Sequence, residues 1–214
     1  MVAWSHNLKY DQLLLLVYVA LVVLSPVTIT YPPEDRWYIT PEEQREKILL
    51  PSLHDPPTLD LSIIVPAYNE ASRITPMLQA AAQHLQSIPH RSSEIMIVDD
   101  GSRDNTTSVV LAAPTTLFAC NVHTRRFDLR VISLSKNMGK GAAVKHGFLH
   151  ARGRRLLMVD ADGASQFSDL ELLWKALDET EVDGHGVAVG SRAHLVGTDA
   201  VVKASRVKYF QCRL

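Results

Sequence analysis

Cysteine is scarce in this 214-residue chain, which has only two. Cys120 and Cys212 lie far apart and outside any C-x-x-C or Cys/His spacing. That excludes a disulfide framework and the common thiolate zinc sites, and it suits a reducing compartment. A surplus of charge is missing too. Lys and Arg number 22 against 23 Asp and Glu, so no broad field draws the chain to nucleic acid, and a charged partner has to be met locally. The nine histidines are scattered and read as surface or supporting residues. There is no G-x-x-x-x-G-K-[ST] loop and no G-x-G-x-x-G, which excludes a Walker A site and argues against a dinucleotide fold. Repeats and low-complexity tracts are absent as well.

One long apolar run is present, from Leu13 to Ile29 (LLLLVYVALVVLSPVTI). At about 1.5 Å per residue, a helix of that length reaches roughly 25 Å, close to a hydrocarbon core of about 30 Å. A cleaved signal peptide would want a basic start and a small-residue cleavage site. Here Lys9 is offset by Asp11, and the run ends at Pro26 and Tyr31-Pro32-Pro33. A buried core helix fits poorly with a segment apolar on every face. The run reads as a transmembrane anchor over residues 1–30, with flanking charges too balanced to orient it.

Residues 31–60, rich in proline and charge, read as a linker. Within them Thr40-Pro41-Glu42-Glu43 predicts a short helix ending before Pro51, with Thr40 as cap and Pro41 at its first position. From residue 61 to 214 a regular domain is expected. Its strands are Leu61–Val65, Ile95–Val98, Leu129–Leu134, Arg155–Val159 and Gly186–Val189. Helices are expected at Ile74–Ser87, Thr106–Ala113, Gly141–Ala151 and Phe167–Thr180, and a surface loop from Pro114 to Phe127. Apolar strands alternating with amphipathic helices predict an α/β fold, a mainly parallel sheet flanked by helices.

Each predicted strand runs into a polar cluster: Pro66–Glu70, Asp99–Ser102, Lys136–Gly141, Asp160–Gly163 and Gly190–Arg192. In an open parallel sheet, ligands bind at the carboxyl ends of the strands. Asp160 and Asp162 flank Ala161 where a strand runs out, and two hard oxygen donors suit Mg²⁺ or Mn²⁺ completed by water and phosphate. The competing reading is a turn pair, since Asp-Gly is a common turn signal. Asp99 and Asp100 can accept from ribose or base, or serve the turn and the next helix cap. Lys140, in a glycine-spaced loop opening a helix, can face phosphate, or the loop can be purely structural. Arg192 carries a fork that matches phosphate oxygens, unless it is an ordinary surface arginine.

Taken in order, Ile63–Glu70, Ile97–Asp104, Asn137–Val144, Val159–Ala164 and Gly190–His194 resemble the family-two glycosyltransferases of GT-A fold. Within that family the likeness is to the branch that glucosylates dolichyl phosphate at the endoplasmic reticulum, through Asp-Ala-Asp-Gly-Ala-Ser and Gly-Ser-Arg-Ala-His. The resemblance implies an inverting transfer of glucose from UDP-glucose to dolichyl phosphate, for the precursor of protein N-glycosylation. A mannosyl transfer to a polyprenyl phosphate, or a non-catalytic nucleotide-binding product, are the alternatives. It also implies that Pro66, Tyr68, Glu70, Asp99 and Asp100 surround uracil and ribose. Asp160 and Asp162 would hold the metal on the diphosphate, and Arg192 and Arg206 would meet the acceptor phosphate. A single-pass membrane protein with a cytosol-facing site is implied. Members of the family continue past the Gly-Ser-Arg strand into an acceptor half, so a donor half alone is expected here.

Overall fold

The side chains of the first long strand divide between two cores. Ile63 and Val65 join one cluster of buried residues, while Ile64 joins a second on the opposite face. That alternation is the period of an extended chain, and burial on both faces makes the strand central. The computed structural model describes residues 29–44, 46–117, 127–190 and 208–212, and of 114–117 and 208–212 the backbone alone. The chain divides into two compact units, Met1–Thr30 and Tyr31–Leu214, and the elements described here belong to the second. The predicted anchor lies outside the described residues except for its last two. Among the described residues no helix is long and apolar enough to cross a membrane.

A 3-10 turn at Pro33–Asp35 leads into a small antiparallel pair, β1 (Trp37–Tyr38) with β2 (Ile48–Leu49). The main sheet holds β3 (Leu59–Ala67), β4 (Ser93–Asp99), β5 (Phe127–Ser133), β6 (Gly153–Met158), β7 (Val187–Gly190) and β8 (Lys208–Cys212). Its order is β5-β4-β3-β6-β8-β7. The first four strands in that order are mutually parallel, with Ile63 opposite both Ile95 and Leu157. β8 runs antiparallel to β6 and to β7, so β7 points the same way as β6. The parallel sheet expected from the sequence is present, and β8 is an addition to it.

Helices α1 (Ile74–Ser87), α2 (Thr106–Leu117) and α4 (Asp169–Thr180) surround one core, and α3 (Lys140–Leu149) lies over the other. In α1 the buried residues are Ile74, Met77, Leu78, Ala81, Ala82 and Leu85, the three-and-four spacing of one apolar face. Each fully buried Leu or Ile on such a face contributes about 1.5–3 kcal/mol. α3 has small residues inward: a Cβ on Gly147 would stand 2.5 Å from Ile64 Cγ2. Only glycine lets this helix lie so close to the sheet.

Two expectations fail. The helix after Thr40 does not form, although the Glu43 N–H does donate to Thr40 Oγ1 at 3.2 Å. A short segment cannot recover the cost of nucleating a helix, and Ile48–Leu49 pair with Trp37–Tyr38 instead. Residues 114–117, expected in a loop, belong to α2, which continues to Leu117; the rest of that expected loop up to residue 126 lies outside the described residues. Residues 31–60, expected as a linker, pack on the domain: Leu50 and Asp35 are buried, and Ile39 bridges Val131 on β5 through reciprocal N–H···O bonds of 2.9 Å.

Candidate functional site

β4 and β5 extend the sheet to one side of β3, and β6 lies on the other. The strand order therefore reverses at the β3–β6 boundary, where a crevice opens beyond the carboxyl ends. Pairing of these two strands ends early, with the Val159 N–H donating to Ile64 O at 3.0 Å. Beyond that point the two chains part. Pro66, still opposite Val98 of β4, lacks a backbone donor on the side where none is needed. A cleft of about 400 Å³ fills the gap.

The cleft gathers residues from four of the predicted clusters. Pro66, Tyr68 and Glu70 come from the end of β3, and Asp100 from the end of β4. Asn137, Gly139 and Lys140 enter from the loop before α3, and Asp160, Ala161 and Asp162 follow β6. Arg73 lines it as well. It was not foreseen, although its place three residues after Glu70 is a helix-like pairing distance; its Nη2 donates to Glu70 Oε1 at 2.6 Å. The other oxygen, Glu70 Oε2, is buried with no hydrogen-bond partner among the described residues.

Hydrogen bonds from backbone N–H groups to side-chain oxygens tie these loops to one another. The Asn69 N–H donates to Ser102 Oγ (2.9 Å) and the Glu70 N–H to Thr106 Oγ1 (2.9 Å). In return, Asn69 Oδ1 accepts the Arg103 N–H at 2.8 Å. Asn69 sits at φ 55°, a left-handed conformation that asparagine tolerates better than most residues. Asp104, fully exposed, accepts from the Thr106 hydroxyl and from the Thr106 and Ala71 N–H groups. The Thr106 hydroxyl bond is the main cause that holds its carboxyl below the usual carboxylate range.

The paired aspartates after β4 divide their work. Asp99 accepts the Ser102 N–H on Oδ1 (2.9 Å) and the Thr107 hydroxyl on Oδ2 (2.5 Å). It is not among the residues lining the cleft. Asp100 lines it while accepting the Met138 and Gly139 N–H groups at 2.8 Å each. It thereby shapes the loop that presents Lys140. Gly101 at φ 69° permits the approach of the two loops, for a Cβ there would meet Asn137 N at 2.8 Å.

Lys140 Nζ pairs with Asp160 Oδ1 across the cleft. Asp162 Oδ1 accepts the Ala164 N–H at 3.0 Å. Among the described residues no group of three or more His, Cys, Asp or Glu is placed to hold a metal ion. Asp160 and Asp162, hard oxygen donors that both line the cleft, are the residues that could hold a divalent cation, with water and phosphate completing its shell. Arg192 and Arg206 lie outside the described residues. β7 ends at Gly190 on the same edge as the cleft strands, since it runs parallel to β6.

Of the two roles open to the histidines, surface or supporting, those near α3 take the second. His146 and His150 stand at helical i, i+4 spacing, which was the overlooked signal. His146 is fully buried, with Nε2 at 2.9 Å from Asp35 O, and His150 Nδ1 lies 2.6 Å from Pro51 O. Burial first, and the neighbouring His150 second, push the His146 imidazole down to about 4. These residues attach the segment before β3 to the back of α3, away from the cleft lining.

The chain is similar to the dolichyl-phosphate beta-glucosyltransferase of Saccharomyces cerevisiae, 42% identical over 188 residues, covering 82% of this chain and 55% of that protein. The corresponding enzymes of Drosophila melanogaster and Homo sapiens are 43% and 38% identical, covering 74% and 76% of this chain and 48% and 49% of their own lengths. The chain thus spans about half the length of these relatives. A mannosyltransferase of Pyrobaculum calidifontis in complex with GDP-Man and Mn²⁺ is 27% identical, with a TM-score of 0.48, over 64% of this chain and 36% of that one. The model of glycosyl transferase family 2 matches residues 62–211. The cleft and the four loops that build it all fall inside that match, and the chain belongs to glycosyl transferase family 2.

Proposed function

We propose that the cleft is a UDP-glucose site of GT-A type, and that the protein serves glucosyl transfer to dolichyl phosphate. The observation that carries this reading is the meeting of Glu70, Lys140, Asp160 and Asp162 at the one place where the strand order reverses. Tyr68, 39% exposed on the cleft, offers a ring face to a base. The unpartnered Glu70 Oε2 suits a base N–H or a ribose hydroxyl, and a donor there would remove a buried polar atom's desolvation cost. Asp99 contributes through the loop it holds, and Asp100 through the loop that carries Lys140.

The pairing of Lys140 with Asp160 supplies both halves of a metal–diphosphate site, the ammonium for phosphate oxygens and the carboxylate for the cation. Asp160 and Asp162 would hold Mg²⁺ or Mn²⁺, and such a cation would supply neutralisation of diphosphate charge. An acceptor phosphate is already ionised near neutral pH, so no side chain has to remove its proton. The chain's own contribution is to orient the donor, with the sugar carbon open to attack from the side opposite UDP, so that the anomeric centre inverts. Arg192 and Arg206 are assigned to the acceptor phosphate. The apolar run within residues 1–30 is assigned to membrane anchoring at the endoplasmic reticulum, with the domain on the cytosolic side. Confinement to the bilayer raises the effective concentration of a lipid acceptor.

Equilibrium binding of UDP-glucose and GDP-mannose with Mn²⁺, followed by transfer to a short dolichyl phosphate analogue, tests the reading. UDP-glucose binding at least about tenfold tighter, a difference of roughly 1.4 kcal/mol, is expected. Preference for GDP-mannose would replace the glucosyl assignment by a mannosyl one. Tight UDP binding without transfer would keep the donor site and remove catalysis from this chain.

A further inference from the structure

The loop from Ser135 to Gly139 that presents Lys140 is held from two sides. Asp100 accepts two of its N–H groups from the sheet side. The other hold comes from a carboxylate about a hundred residues earlier in sequence. Asp35, 1% exposed, accepts the Ser135 N–H on Oδ1 at 2.8 Å. The carbonyl of the same residue faces His146 Nε2 on α3 at 2.9 Å. Four residues earlier, Tyr31 donates its hydroxyl to Ala142 O at 2.7 Å, and its ring lies 4.3 Å from that of His146. Ala142 is in the first turn of α3, and its own N–H donates to Gly139 O at 2.9 Å.

Nothing in a freely moving connecting segment calls for a buried carboxylate. Burying one costs several kcal/mol unless it is well bonded, and Asp35 Oδ2 has no hydrogen-bond partner among the described residues. A cheaper attachment would use an apolar side chain. What Asp35 does instead is fix a backbone N–H next to the loop of the donor cleft, while Tyr31 fixes the first turn of the helix behind Lys140.

We propose that Tyr31 and Asp35 are positioning residues for the donor site, so that the segment before β3 is a working part of the cleft. The inference rests on the donor-site reading above. Neither residue lines the cleft; Asp35 acts through the 135–139 loop and Tyr31 through the first turn of α3, the two elements that meet at Lys140.

The test uses the full chain in detergent micelles, titrated with UDP and Mn²⁺, alongside thermal unfolding and hydrogen exchange of the 134–140 segment. Asp35→Ala leaves the Ser135 N–H without its acceptor and is expected to weaken UDP binding about tenfold, as for one orphaned buried group. Exchange in residues 134–140 should quicken with it. Asp35→Asn keeps an oxygen on the Ser135 N–H and should restore most of the affinity. Leu50→Ala, which removes a buried side chain of the same segment, should lower thermal stability while leaving UDP affinity unchanged.

Equal UDP affinity in wild type and a folded Asp35→Ala variant would overturn the inference, as would an equal loss in Leu50→Ala or no rescue by Asn. Should Asp35→Ala fail to fold, Tyr31→Phe carries the decision: two- to threefold weaker binding supports the role, and unchanged binding refutes it. A wild-type chain that does not bind UDP at all would instead bring down the donor-site reading, and this inference with it.

Discussion

The two edges of the parallel sheet use the same kinds of side chain to opposite ends. At the amino edge Glu94, fully buried, accepts from the Ser62 hydroxyl, the Arg152 backbone N–H and the Arg152 Nε–H. It also pairs with the buried Arg130 at 2.6 Å, and Arg152 goes on to Asp128. At the carboxyl edge Lys140 pairs with Asp160, the two being 56% and 20% exposed, on the wall of an open cleft. One edge surrounds its carboxylate with donors and seals it from solvent, even though Ser93 Oγ and Arg130 Nε and Nη1 beside it find no hydrogen-bond partner among the described residues. The other sets its charges, and Glu70 with its unpartnered Oε2, around an open cleft. Charge by itself therefore does not mark a ligand site. What marks it is charge that faces open space: Lys140 and Asp160 line the cleft, whereas Arg130 and Glu94 are shut away from solvent.

Three measurements would break or sharpen that contrast. Glu94→Ala should cost about 3–5 kcal/mol of stability, because Arg130 becomes a buried charge without its counterion; urea unfolding measures it. A loss below 1 kcal/mol would mean the amino edge is as loosely held as the cleft. Asp162→Ala should do the reverse, leaving unfolding nearly unchanged. In a preparation competent for transfer it should lower glucosyl transfer about a thousandfold, some 4 kcal/mol of transition-state stabilisation. Near-normal turnover would remove the metal role from Asp162.

The third concerns burial without an opposite charge. The imidazole of His146 is held at about 4 against an ordinary 6.5, mainly by desolvation. His150 is lowered for the same first reason. With a folded value below the unfolded one, the unfolded chain takes up protons first as pH falls. Stability is thus complete above about pH 7 and is lost as pH drops from about 6.5 towards 4, by roughly 3 kcal/mol at most from His146. Unfolding midpoints at pH 7.5, 6.0 and 5.0 should fall in that order. A flat profile down to pH 5 would show that His146 accepts a proton in the folded state without penalty.

Local pattern made much of this legible. The boundaries of α1 followed from its apolar spacing, and the parallel strands from runs such as Ile63-Ile64-Val65, buried on both faces. The cleft followed from a general property of such sheets, that polar residues placed after each strand meet at one edge. Long-range contacts were not legible. β8 is a partner for β6 and β7 that carries no turn signal to its neighbours. Thr40 makes its cap bond without a helix, since a cap is a local event and a helix needs packing. The different fates of Asp99 and Asp100 depend on which way adjacent side chains point at a strand end, which two identical letters do not reveal. His146 and Asp35 meet across more than a hundred residues, beyond the reach of any window.

The bridge between Ile39 and Val131 has a practical side. β5 is the outermost strand of its side of the sheet, and Ile39 occupies part of its free hydrogen-bonding edge. A fragment begun at Leu61, where the regular pattern starts, would expose that edge to a second molecule and invite strand-to-strand association. Production of a soluble domain should therefore start at Tyr31, keeping the edge shielded during expression and storage.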